Sequence, residues 1–600
     1  MSTYRAPLAE MHFVLHELAG LAQVAQLPGF EEAAPDVVTA ILDEAAKFAA
    51  EVLDPLNRPG DREGARRLED GTVRTPAGFK EAYARFCANG WNGLTKNPEF
   101  GGQGLPHVVS AAVEEMWHAS NLAFDLCPLL TQGAIDAIEL VGTDEQKQRF
   151  LPKLVSGEWT GTMNLTEPQA GSDLAAVRTR AVRQPDGSYR LAGSKIYITY
   201  GEHDYTDNII HLVLARTPDA PEGVRGISLF IVPKHLVGPD GKPGARNDVH
   251  CASIEHKLGI HASPTCVMVY GEKDGATGYL VGEENRGLEY MFIMMNAARF
   301  SVGLEGVGLG ERACQRAVAY ARERVQGKAV GLDKAAKAGP IIDHPDVRRM
   351  LMTMRAHVEG TRAVAYVTAA AIDNARRHPD PAARRAHQAF VDLMIPIVKG
   401  HATEVGQEVA SLGLQVHGGM GYIEDTGAAQ YVRDARITTI YEGTTGIQAN
   451  DLIGRKTVRD GGAAARAVIV EIEKTAAQLT GHADAALHPV GAALAEAAVA
   501  LEDAVAWVLR CSASHSRAVH AGAVHYLRLW GLAASGWQLG RSALVAARKL
   551  AADEGDAGFL RAKIATARFF AATLLPQASA LARTLMHGGE TALEVPAEQL

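Results

Sequence analysis

The sequence predicts a mostly helical α+β chain in which one β-rich domain lies between helical ones. Three observations predict it: helical apolar spacing in the first 160 residues, short β-rich runs between about 161 and 287, and helical spacing again from there onward. In the first stretch Val37, Ile41, Ala45 and Ala49 recur at i, i+4 and form one apolar stripe. The run from Asn97 to Gly104 interrupts it, because its proline stops a helix and its glycines accept positive φ. In the second stretch Ile209–Leu214, Ile227–Val232 and Cys266–Tyr270 are apolar, β-prone and bounded by Gly, Pro or Asp. Helical spacing resumes near Leu288 and passes through Cys314, Val318, Ala321 and Val325. It runs to about Gly454, with a turn-rich break from Gly418 to Gly427. Beyond Arg455 and Lys456, the segment Asp460–Ala464 reads as a linker to an Ala-rich tail with helical patterns from Val468 to about His587. The expected domains are therefore 1–160, 161–287, 288–456 and an additional helical one at 457–600.

A chain of 600 residues, 47% of them hydrophobic, can bury a large core divided among several domains. Its net charge of −9 gives no global positive field for nucleic acid or anionic lipid, and the tail beyond Lys456 is close to charge-balanced. The six cysteines are scattered without CxxC spacing, so no metal site is expected, and the cytoplasm is the expected compartment. The N-terminus lacks the apolar region of a secretory signal, and no apolar stretch reaches membrane-spanning length. No integral membrane segment and no peroxisomal address are expected.

Three motifs carry chemistry. Glu442 stands in Tyr441-Glu442-Gly443-Thr444, where a carboxylate framed by Gly and Thr reads either as a surface turn or as a catalytic base. A second segment is Met163-Asn164-Leu165-Thr166-Glu167-Pro168-Gln169-Ala170-Gly171-Ser172-Asp173, and a third is Gln415-Val416-His417-Gly418-Gly419-Met420-Gly421. Together, and in this order, they resemble the signatures of the acyl-CoA dehydrogenase family over roughly Phe30 to Lys456. The resemblance implies an N-terminal helical domain, a middle β-barrel or sheet domain and a C-terminal four-helix bundle, with the tail as an extra helical domain. It also implies FAD-dependent α,β-dehydrogenation of an acyl-CoA to the trans-2-enoyl-CoA, with electron transfer flavoprotein as acceptor.

That reaction needs a base for the α proton, a hydride acceptor and donors for the thioester oxygen. No side chain accepts hydride, so the acceptor is expected to be the flavin. By resemblance Glu442 is the base, and its backbone N–H holds the thioester carbonyl. Leu165, Thr166, Tyr197 and Thr199 are implied beside the flavin ring, although Tyr197 stands where the family usually has Trp. Gln415 precedes Glu442 by 27 residues (442 minus 415), the family separation between a pyrophosphate-binding Gln and the base. Gly418 and Gly419 would let backbone N–H groups approach the phosphates. Arg324 is implied at the flavin of a neighbouring subunit, 25 residues after Arg299 (324 minus 299), with Gln326 as a further donor and Thr444 near the adenosine pyrophosphate. Arg299, Ser172 and Gly443 are implied at the acyl-CoA, and a cofactor shared across subunits implies a homodimer or larger assembly. His417 reads as a loop histidine satisfied by its own hydrogen bonds.

Two other readings use the same motifs: an acyl-CoA oxidase that passes electrons to oxygen, and a DNA-binding flavoprotein of the same fold. The charge-balanced tail weighs against the DNA-binding reading, since affinity for DNA is built from Lys and Arg contacts to phosphate. Within the dehydrogenases the chain resembles the long bacterial branch, which leaves the substrate open between fatty acyl-CoA and 3-(methylthio)propanoyl-CoA. The Met291, Phe292, Met294 and Met295 stripe falls in the region that would set pocket depth, but such a stripe is more often core than an acyl pocket.

Overall fold

A computed structural model describes residues 3–331 and 337–600. The principal elements in chain order begin with helices α1 (His107–Val141) and α2 (Asp144–Ser156). The eight strands of the large sheet follow: β1 (Thr160–Asn164), β2 (Arg180–Arg183), β3 (Tyr189–Thr199), β4 (Ile209–Ala215), β5 (Ser228–Pro233), β6 (Val249–Ile254), β7 (Thr265–Tyr270) and β8 (Ala276–Val281). Helices then resume as α3 (Gly287–Glu323), α4 (Pro345–Arg377), α5 (Pro381–His417), α6 (Ala428–Thr438) and α7 (Thr445–Ile453). The tail contributes α8 (Ala463–Thr480), α9 (His488–Cys511), α10 (Ala523–Ala551), α11 (Ala557–Thr573) and α12 (Gln577–Thr591). The chain groups into two compact units, one of residues 47–105 and 120–298, the other of 1–46, 106–119 and 299–600. Each is assembled from separated stretches, whereas the sequence was divided into consecutive ones.

The first unit holds the eight-stranded sheet, in the order β6-β7-β3-β8-β5-β4-β1, with β2 paired on β3. Only β1 and β4 pair in parallel. Period-two alternation divides β4 between two cores: Ile210, Leu212 and Leu214 join one apolar cluster, Val213 and Ala215 the other. Both faces are covered, which is why Ile209–Leu214 is apolar at every position but His211 rather than alternating. Ile135 and Ile138 of α1 and Met291 and Met294 of α3 pack into the first cluster, so the methionine stripe is core. Within α1 the backbone leaves the helix at Asn121 (φ −160, ψ 83), whose side chain then caps the N–H of Phe124.

In the second unit α4 packs on α5, and α10 packs on α4, α11 and α12. Helices α3 and α5 approach closely where a Cβ on Gly306 would lie 2.3 Å from the Ala402 carbonyl oxygen. Buried charge ties the start of the chain to the tail. Lys563 of α11 donates to Glu10 at 2.6 Å and to Glu359 at 2.8 Å, while Arg362 pairs with Glu115 at 2.6 Å and Glu311 at 2.7 Å. The expected linker is a capped turn, in which the Asp460 carboxylate accepts the N–H groups of Gly462 and Ala464 ahead of α8. The helical extension belongs to the same compact unit as α4 to α7. Among the described residues no helix is long and apolar enough to cross a membrane, and no cluster of metal-ligating side chains occurs.

Candidate active site

Glu442 lies in the short connection between α6 and α7. Its φ is 53° and that of Gly443 is 90°, so two successive residues are left-handed. A non-glycine residue rarely adopts this conformation, and here hydrogen bonds enforce it. Lys399 Nζ, on α5, donates to the Gly443 carbonyl at 2.6 Å, and Gln448 Nε2, on α7, donates to the Glu442 carbonyl at 3.1 Å. The Thr445 N–H closes back onto Thr439 O at 3.0 Å, and the Tyr441 hydroxyl donates to the buried Glu305 of α3. Glycine at 443 is required twice over, because a Cβ there would also lie 2.7 Å from Gln448 Nε2.

The Glu442 side chain is half-buried, and among the described residues nothing hydrogen-bonds its carboxylate. Burial pushes its carboxyl above the ordinary 4.5, against the Arg299 guanidinium and the Lys399 ammonium, which pull it down. Arg299 is 5% exposed, its Nη1 lies 3.6 Å from Asp451 Oδ2, and the Asp451 and Glu442 carboxylates oppose the lowering of its pKa by burial. Thr444 is exposed and its hydroxyl accepts the N–H of Ile447, capping α7.

In the other unit the strand that carries the second motif is anchored by a buried ion pair. Lys195 Nζ of β3 donates to Glu167 Oε1 at 2.8 Å and to the Leu165 carbonyl at 2.9 Å. Glu167 also accepts the Thr179 hydroxyl and the N–H groups of Arg178 and Thr179. Burial raises the Glu167 carboxyl, but the Lys195 charge and these hydrogen bonds outweigh it and bring it down to about 2. The Ile196 N–H donates to Thr166 O at 2.9 Å and the Thr162 hydroxyl to Thr199 O at 2.7 Å, which sets Thr166 and Thr199 at neighbouring positions along β3. Both are half-buried, and among the described residues their hydroxyls make no side-chain hydrogen bond. The β3–β7 register slips between Cys266 and Met268, a bulge that contains Tyr197 at φ 60°. Tyr197 is 61% exposed, and Ser172 is exposed on the turn after Glu167.

The remaining expected residues collect where α3 and α5 end. Tyr320 stacks on His417 at 4.4 Å, which brings Arg324, just past α3, toward Gln415, Gly418 and Gly419. All four are exposed. His417 is buried and its Nδ1 bonds the Gly413 carbonyl at 2.7 Å. Gln326 is exposed, and its carbonyl accepts from His344. A Cβ at Gly418 or Gly419 would meet no heavy atom within 4 Å, leaving that backbone open.

Family profiles match the chain from near its start to near its end. They are the acyl-CoA dehydrogenase N-terminal domain over residues 36–158, the middle domain over 162–272 and the C-terminal domain over 285–456. The chain belongs to the acyl-CoA dehydrogenase family. A further profile, acetyl-CoA dehydrogenase C-terminal like, covers residues 468–596. The chain is 51% identical to the 3-methylmercaptopropionyl-CoA dehydrogenase of Ruegeria pomeroyi, over 98% of its own length and 99% of that protein. It is 35% identical to a broad-specificity linear acyl-CoA dehydrogenase of Mycobacterium tuberculosis, over 96% of each chain. The solved structure of the Bacillus anthracis acyl-CoA dehydrogenase with FAD shares the fold at a TM-score of 0.73 and 21% identity, covering 96% of this chain and 91% of that one. This acyl-CoA dehydrogenase is thus an FAD-dependent oxidoreductase. Sequence reasoning missed Lys399, Glu305, Lys195 and the structural use of Glu167, which become visible only where separated segments meet.

Proposed function

We propose that this chain is a cytoplasmic dehydrogenase that converts an acyl-CoA thioester to its trans-2-enoyl-CoA, with Glu442 as the base and an electron transfer flavoprotein as electron acceptor. The observation that carries this reading is the Glu442 turn, which offers a raised carboxyl on a rigid, left-handed backbone. The Glu442 carboxylate removes the α proton, while its backbone N–H donates to the thioester oxygen and acidifies the α carbon. FAD, when bound, supplies the acceptor for the β hydride.

The residues present fit that cofactor. The untaken hydroxyls of Thr166 and Thr199, with Leu165 and Tyr197, are assigned to the flavin ring. The exposed backbone at Gly418 and Gly419, with Arg324, Gln326, Gln415 and Thr444, is assigned to the phosphates and adenosine. Gly443 and Ser172 are assigned to the acyl-CoA. Arg299 is assigned to the base rather than to CoA phosphate, since it is buried, lies beside Asp451 and interacts electrostatically with Glu442. The six free cysteines are in keeping with a reducing compartment.

A homodimer or larger assembly is part of the same reading, carried by the family resemblance at Arg324 and Gln415. Lys399, which holds the base's turn, precedes Gln415 by 16 residues (415 minus 399), about 24 Å along a helix. By the family resemblance, Gln415 and Arg324 are assigned to the FAD of a second copy. For the substrate, the relative at 51% identity supports 3-(methylthio)propanoyl-CoA over a longer fatty acyl-CoA.

Anaerobic mixing of the holoenzyme with 3-(methylthio)propanoyl-CoA and with straight acyl-CoAs of increasing length tests this reading. Loss of flavin absorbance fastest with the methylthio substrate, and reoxidation by electron transfer flavoprotein, are expected. Rapid reoxidation by oxygen with release of peroxide would make the enzyme an oxidase and overturn the acceptor assignment.

A further inference from the structure

We infer that Lys399 is a positioning residue for the catalytic turn: from α5 it holds the Gly443 carbonyl, fixes Glu442 in its left-handed conformation and places a cation beside the base. The inference rests on Glu442 being the base.

A left-handed glutamate is disfavoured, so the conformation persists only where its surroundings over-determine it. Two donors do so from opposite sides. Lys399 Nζ reaches Gly443 O at 2.6 Å, and Gln448 Nε2 bridges Glu442 O at 3.1 Å and Gly443 O at 3.4 Å. The turn is gripped by α5 and by α7, and its carbonyl groups have little freedom to rotate.

A neutral donor would suffice for grip alone. Lysine is costly here, because the residue is wholly buried and an ammonium loses its hydration there. Three acidic groups compensate: Glu305 of α3, Glu442 of the turn and Glu404 one turn along α5. Arg299, itself paired with Asp451 of α7, faces it as a like charge. Burial lowers the ammonium to about 8, with the carboxylates opposing, so it is charged at neutral pH. Lys399 therefore acts on Glu442 twice, through the backbone and through charge. Gln448 acts through the backbone alone.

The test compares Lys399→Met, Lys399→Arg and Gln448→Met holoenzymes in kcat, KM and the pH profile of kcat/KM. Lys399→Met is expected to lower kcat roughly 10- to 100-fold with a much smaller change in KM, as for a misplaced catalytic group. Its acidic limb is expected to move to higher pH by about one unit, because a neighbouring opposite charge has been lost. Lys399→Arg should hold the limb near its wild-type position. Gln448→Met should lower kcat without moving the limb, and it decides the backbone half of the proposal if Lys399→Met fails to retain FAD. Wild-type kcat and an unmoved limb in Lys399→Met, or wild-type kcat in Gln448→Met, would overturn the proposal. Glu442→Gln separates the two questions, since turnover in that variant removes the base assignment whatever Lys399 does.

Discussion

Lys563 in the C-terminal extension donates to Glu10 at 2.6 Å, a buried ion pair that joins the two ends of the chain. Glu359 of α4 shares the same ammonium at 2.8 Å and also takes Arg355 at 2.6 Å. Replacing the lysine alone would leave Glu10 buried without its counterion. Lys563→Met is therefore expected to destabilise this unit by about 3–5 kcal/mol, whereas Glu10→Leu combined with Lys563→Met recovers much of the loss. Thermal denaturation of the single and double variants measures both, and additive losses would show that the pair is not coupled.

Glu167 gives a stability prediction with a defined pH window. Its carboxyl lies at about 2 in the folded chain against an ordinary 4.5. A depressed carboxyl stabilises the fold above its unfolded value, and that contribution disappears as pH falls from 4.5 toward 2. Glu167→Gln should cost roughly 3 kcal/mol near neutral pH and progressively less below pH 4.5. Urea titrations at several pH values check this, and a loss independent of pH would assign the effect to packing.

How much of this was legible in the sequence depends on how local each feature is. Glu442 lies in a four-residue motif, and the Gln415 spacing is set by one helix end and one turn, so both segments could be located directly. Helix and strand periods located the elements because α3 to α5 and β4 to β5 are long and apolar. Lys399 and Glu305 could not be read, since lysine and glutamate on a helix ordinarily face water and only the fold brings them under the turn. The Tyr197 bulge was hidden because Lys195–Thr199 keeps strand composition through a register slip that depends on its partner β7. The Arg299–Asp451 contact was hidden for the same reason, since the two lie 152 residues apart (451 minus 299).

The pH dependence of catalysis follows from the direction of the Glu442 shift. On the proposal that Glu442 is the base, only its carboxylate accepts the α proton, and burial raises its pKa above 4.5, so activity is present above the raised value and is lost as pH falls through it. The acidic limb of kcat/KM is expected above pH 4.5. Glu442→Gln should retain FAD and acyl-CoA binding and lose turnover by about 10²- to 10⁴-fold at every pH. A residual rate with the same acidic limb would place the titrating base elsewhere.

Gly443→Ala tests the turn without touching the base. Alanine at φ 90° costs about 1–2 kcal/mol, and its Cβ would displace the Gln448 amide, 2.7 Å away. Both kcat and thermal stability should fall, with the flavin spectrum kept. Unchanged kcat would show that the turn tolerates a different backbone.

Gly419→Ala separates a requirement for the cofactor from one for the fold. Gly419 carries no positive φ, and an added Cβ meets no heavy atom within 4 Å, so stability of the FAD-free chain should change by less than about 0.5 kcal/mol. If its N–H approaches a phosphate of FAD, the same methyl group obstructs that approach, and FAD retention through gel filtration should drop while the stripped chain melts as wild type. Gly418→Ala cannot make this distinction, because Gly418 sits at φ 60° and strain would affect both quantities. Full FAD retention by Gly419→Ala would remove this backbone from the phosphate site and leave Gln415 and Arg324 to carry the assignment.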